Sequence, residues 1–381
     1  MGKILVISSI VTVLVAFGIQ ILLSEVLTGW TKQYTSPIYF TPSKSIPDMT
    51  GKVAIVTGSN TGIGYVTALE LARAGANVIV AARSEVKGLD AVRRIKQEIN
   101  FQQGLENTSD KVQFLGLNLA SLVSVEKFVE SFQDLNMDLH ILVLNAGVMK
   151  SPGMQFTGEP LTYGFETTQD GFEYHVGVNH IGHAYLTQML LGDLKSTAAK
   201  SPSGSRIVSV SSFAESSAPE SGMVFDQWVP QNGIMPETYE DGLAYGQSKL
   251  ANLMYARELS SQLNGTGVSA YACHPGVIPT EITRHIDPVF EESQAKKGYF
   301  ARLLGEVGAR VLESAFFDAH GGALTQLHLA TASKDTLVNG ANYHPIGKDQ
   351  DRIETLQPMQ HSSSKLNNHS LSMSTLYPSY R

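Results

Sequence analysis

Tyr245 and Lys249 stand four residues apart in Leu243 to Leu263, a proline-free stretch that reads as a helix, so they share one helix face. A tyrosine with its ordinary pKa near 10 is a poor proton carrier at neutral pH. An adjacent ammonium favours the phenolate and brings the hydroxyl into working range. Together the two can exchange a proton with an oxygen on a bound molecule. Ser212, closing the run Arg206-Ile207-Val208-Ser209-Val210-Ser211-Ser212, can hold that oxygen by a hydrogen bond. Taken singly, Tyr245 reads as a packing tyrosine and Lys249 as a solvated helix lysine. The chemistry rests on their company.

A second constellation supplies a phosphate cradle. The β-branched run Lys52-Val53-Ala54-Ile55-Val56-Thr57 leads into Gly58-Ser59-Asn60-Thr61-Gly62-Ile63-Gly64, and Tyr65 to Gly75 then reads as a helix. Glycine is needed there for the tight turn, for close approach of the backbone to a pyrophosphate, and for helix–strand packing. The free N–H groups and partial positive charge of the helix start face the phosphates. Glycines in an ordinary turn are the competing reading, and the rest of the chain decides against it.

The elements that must position these residues alternate. Strands are expected at Val78–Ala82, Val112–Leu117, Ile141–Leu144, Arg206–Ser211 and Val268–Cys273, with a last one at Ala341–His344. Helices are expected at Glu85–Ile99, Val123–Phe132, Gly171–Leu194 and Leu243–Leu263. This alternation predicts an α/β fold with a parallel sheet covered by helices on both faces.

Four motifs in order, Thr57-Gly58-x-x-x-Gly62-x-Gly64, Asn145-Ala146-Gly147, Ser212 and Tyr245-x-x-x-Lys249, resemble the short-chain dehydrogenase/reductase family over about Gly51 to Gly347. Asp170-Gly171-Phe172-Glu173, Val178-Asn179-His180-Ile181-Gly182-His183 and His274-Pro275-Gly276 look like its retinol dehydrogenase-like branch. The resemblance implies a Rossmann-type doubly wound parallel sheet in a single domain. It also implies a catalytic set of Asn179, Ser212, Tyr245 and Lys249, with Asn179 supporting a water that relays protons to Lys249. The implied cofactor contacts are Gly58, Ser59, Asn60, Thr61, Gly62, Ile63, Gly64, Asn118, Leu119, Asn145, Ala146, Gly147, Tyr245, Lys249, Pro275 and Gly276. Asn118-Leu119 departs from the family's usual Asp-Leu, but an asparagine keeps an acceptor for the adenine.

After the second strand the chain has Ala81-Ala82-Arg83-Ser84, without the acidic residue that binds ribose hydroxyls in NAD-specific members. Arg83 can make bidentate bonds to a 2′-phosphate, which favours NADP over NAD. The gap from Ser212 to Tyr245 is long, and its Met223, Val224, Phe225 and Trp228 can wall an oily substrate or pack beneath the loop. His180 and His183 have no third metal ligand in spacing, so packing is expected and no metal site. The function implied is hydride exchange between NADP and a lipophilic alcohol or its aldehyde or ketone, such as a retinoid, a steroid or a lipid carbonyl. The alternative is a nucleotide-binding scaffold without turnover, which has no need of Tyr245 and Lys249 together.

Composition bounds the rest. The 381 residues carry a net charge of −7, which gives no pointer to nucleic acid, and Cys273 is the single cysteine, so no disulfide forms within the chain. Ile4 to Leu23 is long and apolar enough for a membrane-spanning helix, with Trp30 and Tyr34 near the interface. The expected organisation is an anchor over 1–30, an extended linker over 31–50, the catalytic domain over 51–347 and a polar, disordered tail over 348–381. The expected setting is an internal membrane such as the endoplasmic reticulum, crossed once, with the domain cytosolic. Arg284 to Val311 is expected to form a mobile wall over the substrate, and a homodimer is compatible with the sequence.

Overall fold

The structure, a computed structural model, describes residues 40–103, 111–149, 165–219, 222–229, 239–276, 278, 317–343 and 345. In chain order the elements are α1 (Pro42–Ser45), β1 (Val53–Thr57), α2 (Gly62–Arg73), β2 (Asn77–Ala82), α3 (Glu85–Gln103), β3 (Val112–Gly116), α4 (Leu122–Gln133) and β4 (Ile141–Leu144). There follow α5 (Tyr174–Val176), a π-helical turn (Gly177–Ile181), α6 (Gly182–Lys200), β5 (Ser205–Val210), α7 (Asp241–Gln262), β6 (Val268–Cys273), α8 (Ala319–Thr331) and β7 (Asn342–Tyr343).

The sheet has seven strands in the order β3-β2-β1-β4-β5-β6-β7, and every pairing is parallel. Strand residues alternate between two cores. Ala54, Val56, Val78 and Val80 face α2, α3 and α8, while Val53, Ile55, Ile79 and Ala81 face α4, α6 and α7. Because both faces are covered, β1 reads as a continuous apolar run instead of an alternating one. Each fully buried Val, Leu or Ile contributes about 1.5–3 kcal/mol. The chain moves outward from β1 to β3, then returns to place β4 on the other side of β1. That reversal opens a crevice beyond the carboxyl ends of β1 and β4, where an α/β sheet binds its ligand.

The expected strands all form, the last as only two residues, Asn342 and Tyr343. The helix expected over Gly171–Leu194 starts at Tyr174, runs to Lys200 and is interrupted by the π turn. Helix α8 was not anticipated, since its apolar residues lie all round it and show no clear stripe. The extended linker is corrected over its described part: α1 forms there, Phe40 and Met49 are buried in the core, and the Met49 N–H bonds the Ala74 carbonyl at 2.8 Å. Among the described residues no helix is long and apolar enough to cross a membrane. The anchor at 4–23, the substrate wall at 284–311 and the tail at 348–381 lie outside the described residues.

Candidate active site

The crevice is built from the carboxyl ends of β1 and β4 and the starts of the helices around them. Gly58 and Gly62 take positive φ values of 66° and 58°, which side chains rarely adopt. A Cβ on Gly58 would come within 2.8 Å of the Ala146 Cα, and one on Gly64 would strike the Asn145 amide and lie 2.7 Å from the Gly58 carbonyl. So both glycines let the loop close onto the β4 side. Ser59 turns inward to bond the Val56 carbonyl at 2.6 Å, a structural role within the loop. Thr61 precedes α2 but makes no side-chain capping bond, so the first N–H groups of this 12-residue helix are left to a ligand.

Thr57 locks β1 to the β4 loop. Its fully buried hydroxyl accepts from the backbone N–H groups of Asn145 and Ala146, both at 2.9 Å, and lies 2.8 Å from His183 Nε2. His183 Nδ1 is 3.0 Å from the Asn179 carbonyl, which can only accept, so Nδ1 carries the proton. Burial lowers His183 to about 3, so the ring is neutral and its Nε2 accepts the Thr57 proton. Asn145 donates to the Thr57 carbonyl at 2.7 Å and accepts from Gln326 of α8 at 3.3 Å. Gln326 also bonds Thr67 of α2, so one amide ties both sides of the loop together.

Asn179 sits in the π turn, closed by a bond from the Gly182 N–H to the Gly177 carbonyl. Such turns recur at functional sites. The Asn179 side chain, expected to support a relay water, accepts from the Val148 N–H at 2.7 Å and donates to the Val148 carbonyl and the Ser248 hydroxyl, each at 3.0 Å. It therefore fixes the loop after β4. A Cβ on Gly147 would sit 3.3 Å from Lys249 Nζ and 3.5 Å from Asn179 Oδ1, so the three meet at one point.

Tyr245 and Lys249 project from α7, both buried, with Lys249 Nζ 5.7 Å from the Tyr245 ring centroid. Burial raises the Tyr245 hydroxyl above its ordinary range, and a hydrogen bond from Ser212 pulls the other way. The lowering expected from Lys249 is corrected: the shift is upward and burial is its main cause, so Tyr245 rests as a protonated phenol. Burial lowers Lys249 to about 8. Its ammonium donates to the Val210 carbonyl at 3.2 Å, and among the described residues no carboxylate pairs with it. Ser212 Oγ accepts from the Ala214 N–H at 3.2 Å, which aims the start of the following 3₁₀ turn.

A network that the sequence did not reveal braces this centre. Glu173, buried at the start of α5, accepts from Tyr239 at 2.9 Å and from the Val176 N–H at 2.7 Å, and lies 2.8 Å from His175 Nδ1. Burial pushes this carboxyl up, but the His175 hydrogen bond and charge and the backbone N–H groups of Val176 and His175 hold it below the usual range. The His175 ring meets the Tyr245 ring edge-on at 6.2 Å. The signal available was Asp170-Gly171-Phe172-Glu173, whose glutamate resembles an ordinary helix cap.

The remaining expected residues divide. Arg83 is exposed just past β2, with Nη1 3.4 Å from the Tyr174 hydroxyl. Asn118 spends its side-chain oxygen on the Ala120 N–H at 3.2 Å, so the expected acceptor for an adenine is committed to a local turn, leaving the NH₂ donors. Leu119 is buried against Gly182, and Ile63 lies close to Gly322 at the start of α8. Gly276, after Pro275, has φ of 88°, and a Cβ there would lie 2.5 Å from the Phe317 ring. Met223 and Trp228 pack with Leu250, Ala251 and Met254 of α7, and Phe225 lies against that cluster, so the insertion's apolar side chains form a core beneath the loop. His180, lowered by burial to about 4, lies 3.3 Å from Asn252 and contacts the Trp228 and Tyr255 rings. No group of potential metal ligands occurs among the described residues.

The short chain dehydrogenase family model matches residues 52–225. An uncharacterised oxidoreductase of Schizosaccharomyces pombe is 39% identical over 80% of this chain and 79% of its own length. Mouse retinol dehydrogenase 12 is 39% identical over 74% of each chain, and mouse polyprenol dehydrogenase 36% identical over 78% of each. Among solved structures, L-sorbose reductase from Gluconobacter frateurii, complexed with NADPH and L-sorbose, superposes with a TM-score of 0.54 at 19% identity, covering 79% of this chain and 97% of that one. The chain belongs to the short-chain dehydrogenase/reductase family, in its retinol dehydrogenase-like branch. It is an oxidoreductase acting on CH–OH groups.

Proposed function

We propose that this chain is an NADP-dependent oxidoreductase that interconverts a lipophilic alcohol and its aldehyde or ketone. The observation that carries this reading is the buried Tyr245 phenol on α7, flanked by Lys249, whose Nζ lies beside Gly147 of the loop after β4. The uncapped start of α2 and the Lys249 ammonium, with which no carboxylate among the described residues pairs, fit a dinucleotide with its pyrophosphate at the helix and ribose hydroxyls at the lysine. A nicotinamide cofactor supplies or accepts the hydride.

The chain's own residues handle the oxygen and its proton. Ser212 holds the substrate oxygen, and Tyr245 delivers a proton to it in reduction or accepts one in oxidation. A raised hydroxyl pKa keeps Tyr245 protonated at neutral pH, which suits the reductive direction. Lys249 holds the ribose hydroxyls and stabilises the phenolate left after transfer. Arg83 and the absence of a carboxylate at Ala81, Ala82 and Arg83 favour a 2′-phosphate.

The retinol and polyprenol dehydrogenases among the relatives support a lipophilic substrate. So does the apolar segment at 4–23, which we place in an internal membrane as an uncleaved anchor with the domain cytosolic. The test is a panel of aldehydes and ketones of increasing chain length, each with NADPH and with NADH. The reading expects kcat/KM to rise with chain length and to be higher with NADPH. A flat response to length or equal use of both cofactors contradicts it.

A further inference from the structure

We infer that Arg94 is a second cation for the 2′-phosphate of the cofactor, acting beside Arg83 and setting the preference for NADPH. The inference rests on the NADP reading above and adds a residue from outside the motifs.

The glycine loop is stitched to the end of β2, because the Gly58 N–H bonds the Ala81 carbonyl at 2.7 Å. Arg83 follows two residues later. Helix α3 begins at Glu85 and sends one residue back to the same corner: Arg94 Nη2 donates to the Asn60 carbonyl, in the middle of the loop, at 3.2 Å. The adenosine ribose of a dinucleotide bound across this crevice lies between the end of the second strand and this loop. Arg83 and Arg94 therefore approach that position from its two sides.

Arg94 is held ready. Its guanidinium carbon lies 4.4 Å above the Tyr65 ring centroid, and its Nε donates to Asp90 at 2.9 Å. Tyr65 is itself fixed by its hydroxyl bond to Glu98 at 2.7 Å. A guanidinium braced on three sides loses little freedom when it takes a phosphate. Two of its five donors are spent, which leaves three for a bidentate phosphate contact. Its side chain is 40% exposed, so it is open to a ligand.

The carboxylates at this corner are already engaged. Asp90 also takes a bond from Arg93 at 2.6 Å, and Glu98 takes one from Arg73 at 2.9 Å. The other account of Arg94 is a brace for the glycine loop. A brace serves every dinucleotide equally, whereas a phosphate contact serves only the phosphorylated one.

The test measures binding to the full-length protein, without turnover. NADPH and NADH are titrated by nicotinamide fluorescence, and adenosine 2′,5′-bisphosphate and AMP by calorimetry, against the parent chain, Arg94→Gln and Arg94→Lys. The inference expects Arg94→Gln to weaken NADPH and the bisphosphate about 10-fold or more, as for loss of a charge-assisted bond. NADH and AMP should change by less than about 2-fold, and Arg94→Lys should recover part of the loss. An equal loss for NADPH and NADH, or no loss for either, overturns it while leaving the NADP reading standing. If the parent binds NADH as tightly as NADPH, the NADP reading itself fails and the inference fails with it.

Discussion

Replacing Thr57 by valine tests how β1 holds the loop after β4. The two side chains have nearly the same volume, so no cavity opens, and the change isolates the hydroxyl. Thr57 is fully buried, and its hydroxyl has four partners: the N–H groups of Asn145 and Ala146 at 2.9 Å each, His183 Nε2 at 2.8 Å and, more distantly, the Val143 carbonyl at 3.3 Å. A buried polar group left unpaired costs about 1–3 kcal/mol. Ala146 is only half-buried and can recover a bond from water, so the sum expected is about 2–4 kcal/mol. The assay is urea denaturation, read as a midpoint shift at unchanged slope. Thr57→Ser is the control, since it keeps the hydroxyl and loses one methyl, at a cost of about 1 kcal/mol. If Thr57→Val lost no more than Thr57→Ser, the hydroxyl would not be the lock described.

Lys249→Met should be more stable than the parent at pH 7 yet inactive. Burial lowers the ammonium from 10.5 to about 8, so keeping it charged in the fold costs about 3 kcal/mol at neutral pH. That cost is fully present below pH 8, and the parent regains it as pH rises from 8 to 10.5, so the variant's advantage should shrink over that window in denaturation curves. A constant advantage across it would contradict the burial argument. His180 and His328, each lowered to about 4, and His183, lowered to about 3, are neutral in the fold but take up protons when unfolded. Stability should therefore fall as pH drops below 6.5, by about 1 kcal/mol per pH unit for each histidine. A flat denaturation midpoint between pH 6.5 and pH 5 would show that these rings are not buried neutral.

The strands were legible because a sheet covered on both faces leaves unbroken apolar runs such as Val53–Val56, bounded by glycine turns. The glycine loop and the Tyr245–Lys249 pair were legible because their chemistry needs particular residue types at fixed local spacing. What escaped was set by tertiary contact. The π turn at Gly177–Ile181 adds one residue to a helix without disturbing its composition. Its consequence, an Asn179 side chain committed to Val148, depends on a strand loop far away in sequence. The Tyr245 pKa went the opposite way from expectation because spacing shows a neighbouring charge but not the depth of burial. Helix α8 has no polar face because it is buried almost throughout, so its period gave no signal. Glu173 gathers partners from Tyr239, His175 and Val176, a convergence that no local pattern encodes.

The most direct test of the account is Tyr245→Phe, measured for turnover and for NADPH binding on the same preparation. The substitution removes the hydroxyl and keeps the ring against His175. The account predicts a fall in kcat of about 10²–10⁴-fold, the range for loss of a general acid–base group, with NADPH affinity nearly unchanged. A variant that keeps more than half of the parent's turnover would contradict the assignment of Tyr245 as the proton carrier.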